Sequence, residues 1–457
     1  MAKTREIYSY DWFTVVIADA KTAKILGIAT SPSFDPNKRD ITNYIDNSIS
    51  SYEPGSTMKT YTYMAALENG VYNGGETFLS GVYTTSDGTQ IGDWDRSGWG
   101  VISFDKGYAL SSNVGVINLI SRHMNAAMLH QYFKKLGFGR KTGIALPNEV
   151  SGDIDFKYET EIYNAGFGQG ITTTPIQNIQ ALTPLTNNGI LLKPYIIEKI
   201  VDPATKKVIY KGKKEKTERV ASTTTVNKML QLMDDTVNGY GNTGAGYRID
   251  SGQLIGKTGT AQISSENGGG YLTGKEDIIS SFAGVYPKNN PEIIIYASIK
   301  RPAGGSQSSI STAIKDIVKN VANYLGTEVE QASDQVVEYK LPSYINKNIE
   351  YVKADLSNNM INYRVYGNGD KVIKQYPAKK SIVTNKENVF LITNDNNIVV
   401  PDVMGLSSKD AKNILELYGI KVKLEGTGYV VAQTVGANTP ITEGMEISLL
   451  LSPKFTE

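Results

Sequence analysis

The sequence predicts an α+β chain, with a central antiparallel sheet flanked by helices and then two small α+β domains. Three β-rich runs, 253–263, 279–286 and 292–299, follow one another with only loops between them, which reads as an antiparallel meander. Helical patterns occupy 56–67, 103–120, 126–136, 175–189 and 309–324. Beyond residue 340 the chain repeats itself in units of about 60 residues.

The chain has 457 residues, 47 Lys and Arg against 46 Asp and Glu, a formal net charge of +1, and no Cys. That length implies two or three domains. A balance this close to neutral argues against a nucleic-acid partner or a membrane surface held by bulk charge. Without Cys there are no disulfides, thiolate nucleophiles or Cys-bound metals, which suits the cytosol or an exported protein that avoids thiols. No apolar run reaches the roughly 18 residues that a membrane span needs. No secretory signal is present, and Met1 leads almost directly into a β-rich run at 8–18. So abrupt a start suggests either a missing upstream part or that Met1-Ala2 is an added start.

Taken in order, Phe13–Ala18 and Ile25–Thr30 are strands joined by a turn at Asp19–Thr22. Residues 32–39 are loop. Pro54-Gly55 ends that region, Met58–Leu67 are good helix formers, and Gly70 stops the helix. Residues 70–100, rich in Gly, Thr, Asp and Trp, read as irregular. Leu110-Ser-Ser-Asn-Val-Gly115 interrupts the helical pattern of 103–120, and 264–275 is a polar, Gly-rich loop. Residues 326–340 read as a linker. The repeats open at Leu341-Pro342 and Val400-Pro401, and each is expected to lay one helix on a small sheet. In the second, Ser407 caps a helix bearing Ala411, Ile414 and Leu415 that stops at Gly419. The expected domains are 1–328, 333–395 and 396–457.

The stretch Glu53-Pro-Gly-Ser-Thr-Met-Lys59 organises the chemistry. It sets Ser56 and Lys59 one helical turn apart, on one face. Ser56 would stand at a helix N-terminus, whose N–H groups favour a developing negative charge. A hydroxyl nucleophile needs a base, and Lys59 supplies one within the same turn. Ser-x-x-Lys alone is weak evidence, since roughly two matches are expected by chance. Ser103-Phe-Asp-Lys106 is a second, better read as a helix N-cap. Lys-Thr-Gly also occurs twice. The copy at 141–143 sits in a loop, whereas Lys257-Thr258-Gly259 lies in a strand where a Gly marks close approach of a ligand or another backbone. Ser111-Ser112-Asn113 by itself reads as a cap. The order Ser-x-x-Lys, Ser-x-Asn, Lys-Thr-Gly is what raises the odds of a site. His123 and His130 read as ordinary helix residues, and no metal site is expected. Gly269 to Lys275 nearly spells a phosphate loop, but Glu276 stands where Ser or Thr is required.

On these residues the chain resembles the class B penicillin-binding proteins, within them the Gram-positive 2x type. The similarity runs across residues 8–325. It includes Tyr52–Lys59, Asp93-Trp94-Asp95, Ser111–Gly115, Phe167-Gly-Gln-Gly170 and Lys257–Ile263. The two C-terminal repeats resemble PASTA domains, the second through Val400-Pro-Asp-Val-Met-Gly405 and the first in degenerate form.

The resemblance implies a penicillin-binding transpeptidase fold and a D,D-transpeptidase of cell-wall synthesis and septation. It implies a position at the extracellular face of the bacterial membrane, with the anchor outside this chain. Its substrates would be peptidoglycan stem peptides ending D-Ala-D-Ala, and β-lactams would acylate it. A membrane glycosyltransferase and cell-division proteins would be its partners, with no nucleic acid and no cofactor. Ser56 would be the nucleophile, Lys59 its base, Ser111 the proton relay and Asn113 a holder of the substrate amide. Lys257, Thr258 and Thr260 would bind the terminal carboxylate, Gly259 would belong to the same substrate-binding strand, and the N–H groups of Ser56 and Thr260 would form the oxyanion hole. Gln262 and Trp94 would line the groove. A serine β-lactamase of the same fold and a non-catalytic wall-binding scaffold are the alternatives.

Overall fold

A computed structural model describes residues 9–452 apart from 35–36, 39–44, 240, 250–252, 266–267, 269, 304–307, 326–337, 360, 385–386, 395–398 and 438. The chain divides into two compact units, residues 1–333 and 334–457.

The first unit is built on a five-stranded sheet. Its strands are β1 (Trp12–Asp19), β2 (Ile25–Ser31), β3 (Ile255–Gln262), β4 (Ile278–Tyr286) and β5 (Ile293–Lys300), in the order β3-β4-β5-β1-β2. The meander is there, and the N-terminal hairpin joins it at β5, with Trp12 opposite Lys300 and Asp19 opposite Ile293. β1 begins at Trp12, not at residue 8; residues 1–8 lie outside those described. The central strand β5 is buried from Ile293 to Ile299 because both of its faces are covered, which is why it reads as one apolar run. Ile294 and Tyr296 face one core and Ile293, Ile295, Ala297 and Ile299 the other, as a period of two requires.

The helices are α1 (Lys59–Glu68), α2 (Phe104–Ala109), α3 (Asn113–His123), α4 (Pro175–Thr186), α5 (Thr223–Asn238) and α6 (Ser308–Leu325), together with 126–135 and 159–166. Every residue of α1 from Lys59 to Ala66 is buried, so this helix runs through the core and shows no apolar stripe. Ser103 and Ser112 cap α2 and α3, and Thr174 with Gln177 forms a capping box ahead of Pro175 on α4. Residues 70–100 are a correction. They hold short strands at 77–79, 82–84 and 90–92, with 77–79 paired to 101–103. Three-residue pairs are too short to show a period of two in the sequence.

In the second unit the two repeats have one topology. A helix, 349–358 or 408–417, precedes three strands in which the first runs parallel, and the second antiparallel, to the third. They share a core, since Phe390 of the first repeat is buried in the cluster of the second. Tyr376 Oη accepts a hydrogen bond of 2.7 Å from Asn413 Nδ2. The expected linker is corrected at its end: residues 338–340 form a strand paired with 382–384, while 326–337 lie outside the described residues.

Candidate active site

Gly55–Met58 forms a tight 3₁₀ turn that leads directly into α1. In such a turn side chains three apart eclipse, so Ser56 and Lys59 share one side. Three glycines let this turn seat against its neighbours. Gly55 has φ +60°, and a Cβ there would come within 2.6 Å of the Thr260 carbonyl oxygen on β3. A Cβ at Gly168 would collide with the Gly55 main chain, and one at Gly259 would lie 3.0 Å from both Pro54 O and Thr57 Cγ2. The Gly55 N–H donates to Gly168 O at 2.9 Å, and Thr57 Oγ1 donates to Pro54 O at 3.0 Å. Because β3 is an edge strand of the sheet, its open side is available to the turn.

Ser56 is half-buried, and its hydroxyl makes no hydrogen bond among the described residues. Lys59 is fully buried, and its Nζ donates to Asn113 Oδ1 at 2.8 Å, to Ser111 O, and to Ser111 Oγ at 3.3 Å. Lys257, also fully buried, donates from Nζ to Ser111 Oγ and to Thr258 O, both at 2.8 Å. Ser111 thus stands between two amines. Its backbone is left-handed, φ +58°, a conformation that costs a non-glycine residue free energy and is a mark of functional positions.

The electrostatics follow from burial. Desolvation pushes the Lys59 amine down to about 7, with the Asp93 carboxylate opposing. Desolvation, and then the charge of Lys59, push Lys257 well below the ordinary lysine range. Lys59 lies 6.0 Å from the Phe167 ring and Lys257 5.8 Å from that of Tyr108.

Thr258 Oγ1 hydrogen-bonds Thr243 Oγ1 at 3.2 Å, and Thr243 in turn donates to Ala109 O at 3.0 Å. Thr260 and Gln262 are the exposed residues of β3. Trp94 is 68% exposed, and its indole N–H donates to Leu110 O, immediately before Ser111. Lys59, Ser111, Asn113 and Lys257 are therefore joined by hydrogen bonds, with Ser56 in the turn that leads into Lys59, Thr258, Gly259 and Thr260 on the strand that carries Lys257, and Trp94 bonded to the residue before Ser111. His123, at the far end of α3 from Asn113, pairs with Glu76, and His130, on the helix 126–135, pairs with Asp155. Among the described residues no group of three or more His, Asp or Glu could hold a metal ion.

Sequence reasoning gave no role to Asp93, Thr243 or Glu53. Asp93 is 3% exposed; one carboxylate oxygen accepts from Ser112 Oγ and the Val114 N–H, the other from the Gly81 N–H. It thereby fixes the first turn of α3, where Asn113 sits. Glu53 Oε1 accepts from Ser264 Oγ and Tyr271 Oη, both at 3.2 Å. The sequence held no signal for these pairings, which join residues far apart in the chain.

The family model described as "Penicillin binding protein transpeptidase domain" matches residues 13–322, and the PASTA domain model matches 398–453. Stage V sporulation protein D of Bacillus subtilis is 32% identical over 85% of this chain and 62% of its own length. A peptidoglycan D,D-transpeptidase FtsI homolog of Mesostigma viride is 30% identical over 64% of this chain and 52% of its own. This chain thus spans between half and two thirds of those relatives. The crystal structure of penicillin binding protein 2X from Streptococcus thermophilus superposes with a TM-score of 0.65 at 26% identity, covering 99% of this chain and 69% of that one.

Proposed function

This chain belongs to the penicillin-binding protein transpeptidase family, and from that premise we propose that it is a peptidoglycan D,D-transpeptidase working through a serine acyl-enzyme. The observation that carries the reading is the pair of buried amines meeting on Ser111 Oγ beside the Ser56 turn.

Ser56 attacks the carbonyl of the penultimate D-Ala in a stem peptide ending D-Ala-D-Ala. Lys59, with its amine pushed to about 7, is neutral enough near neutral pH to take the hydroxyl proton. The hydrogen bond between them forms in the substrate complex. The N–H groups of Ser56 and Thr260 hold the oxyanion. Ser111 passes a proton from the lysine side to the departing D-Ala amine. Lys257, Thr258 and Thr260 bind the terminal carboxylate, whose charge restores the proton on Lys257 that burial disfavours. Asn113 orients the substrate amide and Lys59 together, and Gln262 and Trp94 line the groove. The acyl group then passes to an amine on a neighbouring strand. The enzyme works at the extracellular face of the bacterial membrane, in cell-wall synthesis and septation, with a membrane glycosyltransferase and division proteins as partners. β-Lactams acylate Ser56 and stay.

Mass spectrometry after incubation with penicillin tests this. One covalent adduct is expected, long-lived and absent in Ser56→Ala. An adduct that survives in Ser56→Ala removes Ser56 as nucleophile, and rapid release of penicilloate assigns a β-lactamase instead.

A further inference from the structure

A two-stranded ribbon, Lys199–Val201 with Val208–Lys211, pairs Lys199 with Lys211, Ile200 with Tyr210 and Val201 with Val208. Among the described residues it joins no larger sheet, so there each strand keeps one unpaired edge. Ile200, Val201, Val208, Ile209 and Tyr210 are all exposed, Ile209 at 68%. The cross-strand pairs Ile200–Tyr210 and Val201–Val208 help to hold the ribbon, yet all five side chains stay exposed, and apolar groups left open on an isolated ribbon mark interaction sites. Around them the stretch from Lys199 to Lys216 carries seven lysines against two acids, in a chain whose net charge is only +1. All seven lysines are exposed, and among the described residues none pairs with a carboxylate. The base of the ribbon is fixed: Lys24 Nζ lies 2.8 Å from Glu198 Oε2, and the Gly212 N–H donates to Glu198 O at 2.8 Å.

Lysines along a free edge are a familiar guard against pairing with another copy of the same edge. They repel a basic strand and account for nothing apolar. Taken with the aliphatic and tyrosine side chains they select a complementary occupant, one that brings acids to the lysines and apolar groups to Ile209 and Tyr210. We propose that this ribbon is a docking edge for an acidic, apolar strand of another protein, added to it by main-chain hydrogen bonds. The site is independent of the transpeptidase chemistry.

The test uses the full chain and a labelled synthetic peptide, Glu-Val-Glu-Val-Glu-Tyr-Glu-Val, read by fluorescence anisotropy. Saturable binding is expected, weakening with salt. It falls by about tenfold or more in Lys199→Glu/Lys211→Glu and in Ile209→Ser/Tyr210→Ser. It is also lost when alternate peptide N–H groups are methylated, while penicillin labelling is unchanged throughout. The single variant Ile209→Ser serves if a double variant misfolds. Absent binding, equal binding by the variants, or indifference to N-methylation overturns the proposal. So does ribbon-dependent binding to phosphatidylglycerol vesicles without binding to the peptide, which would assign the surface to a membrane.

Discussion

The chain writes Ser-x-x-Lys twice and Lys-Thr-Gly twice, and the two regions use the same letters for different ends. At 103–106 the serine caps α2, its Oγ accepting from the Lys106 N–H at 3.2 Å, and Lys106 Nζ reaches Asn242 Oδ1 at 2.7 Å. At 56–59 the serine caps nothing, and its lysine is sealed in the core beside a second lysine. At 141–143 the threonine N–H and hydroxyl both bind Glu149 in a loop. At 257–259 the same tripeptide lies on an edge strand against the 3₁₀ turn. Reactivity here comes from where the chain buries a motif and what it sets opposite, not from the motif.

That contrast can be broken most directly at the lysines. Lys59→Ala is expected to slow acylation by penicillin on the order of 10²–10⁴-fold, the usual worth of a general base. Lys106→Ala should leave the rate within about twofold, well below that range. Stopped-flow labelling of both variants decides it, and a comparable loss in Lys106→Ala would dissolve the distinction. Next, Gly259→Ala pushes a methyl to 3.0 Å from Pro54 O and Thr57 Cγ2 and should cut acylation by about tenfold through displacement of the turn. Gly143→Ala, at φ +77°, should cost about 1 kcal/mol of stability with no change in acylation. Denaturant melts alongside labelling separate the two effects.

The pH dependence sharpens the comparison further. With the Lys59 amine at about 7, the fraction able to accept a proton grows as pH rises, so acylation should climb through that value and level off above it. The unfolded chain still binds this proton up to the ordinary lysine value of 10.5, so this group also makes stability rise with pH between about 7 and 10.5. A profile of acylation rate falling with pH across that window would contradict the assignment. Smallest of all, Ser103→Ala removes a cap, costs about 1 kcal/mol and lowers the melting temperature by a few degrees, with labelling intact.

Much of the fold could be read from the residues. The β3-β4-β5 meander was legible because β4 and β5 are bounded β-rich runs and Thr260 and Gln262 alternate along β3, and α1 because Pro54-Gly55 and Gly70 punctuate it. The short strands between 77 and 92 were not legible, because their stability comes from partners elsewhere and not from local pattern. At the site, the residue types and their order along the chain pointed to Ser56, Lys59, Ser111, Asn113 and Lys257. Asp93 stood within the resembling segment Asp93-Trp94-Asp95, but nothing local announced its three donors, from Gly81, Ser112 and Val114, nor the left-handed backbone of Ser111.

The glycines at 55, 168 and 259 have a consequence for how this protein can vary. Three segments that are distant in sequence abut there, and none of the three glycines puts a side chain of its own between them. A joint of that sort has no adjustable part: it cannot be retuned by swapping one aliphatic group for another, as an ordinary core contact can. Its geometry is inherited whole or lost, which leaves the surrounding walls as the material on which selection for new substrates or altered inhibitor response can act.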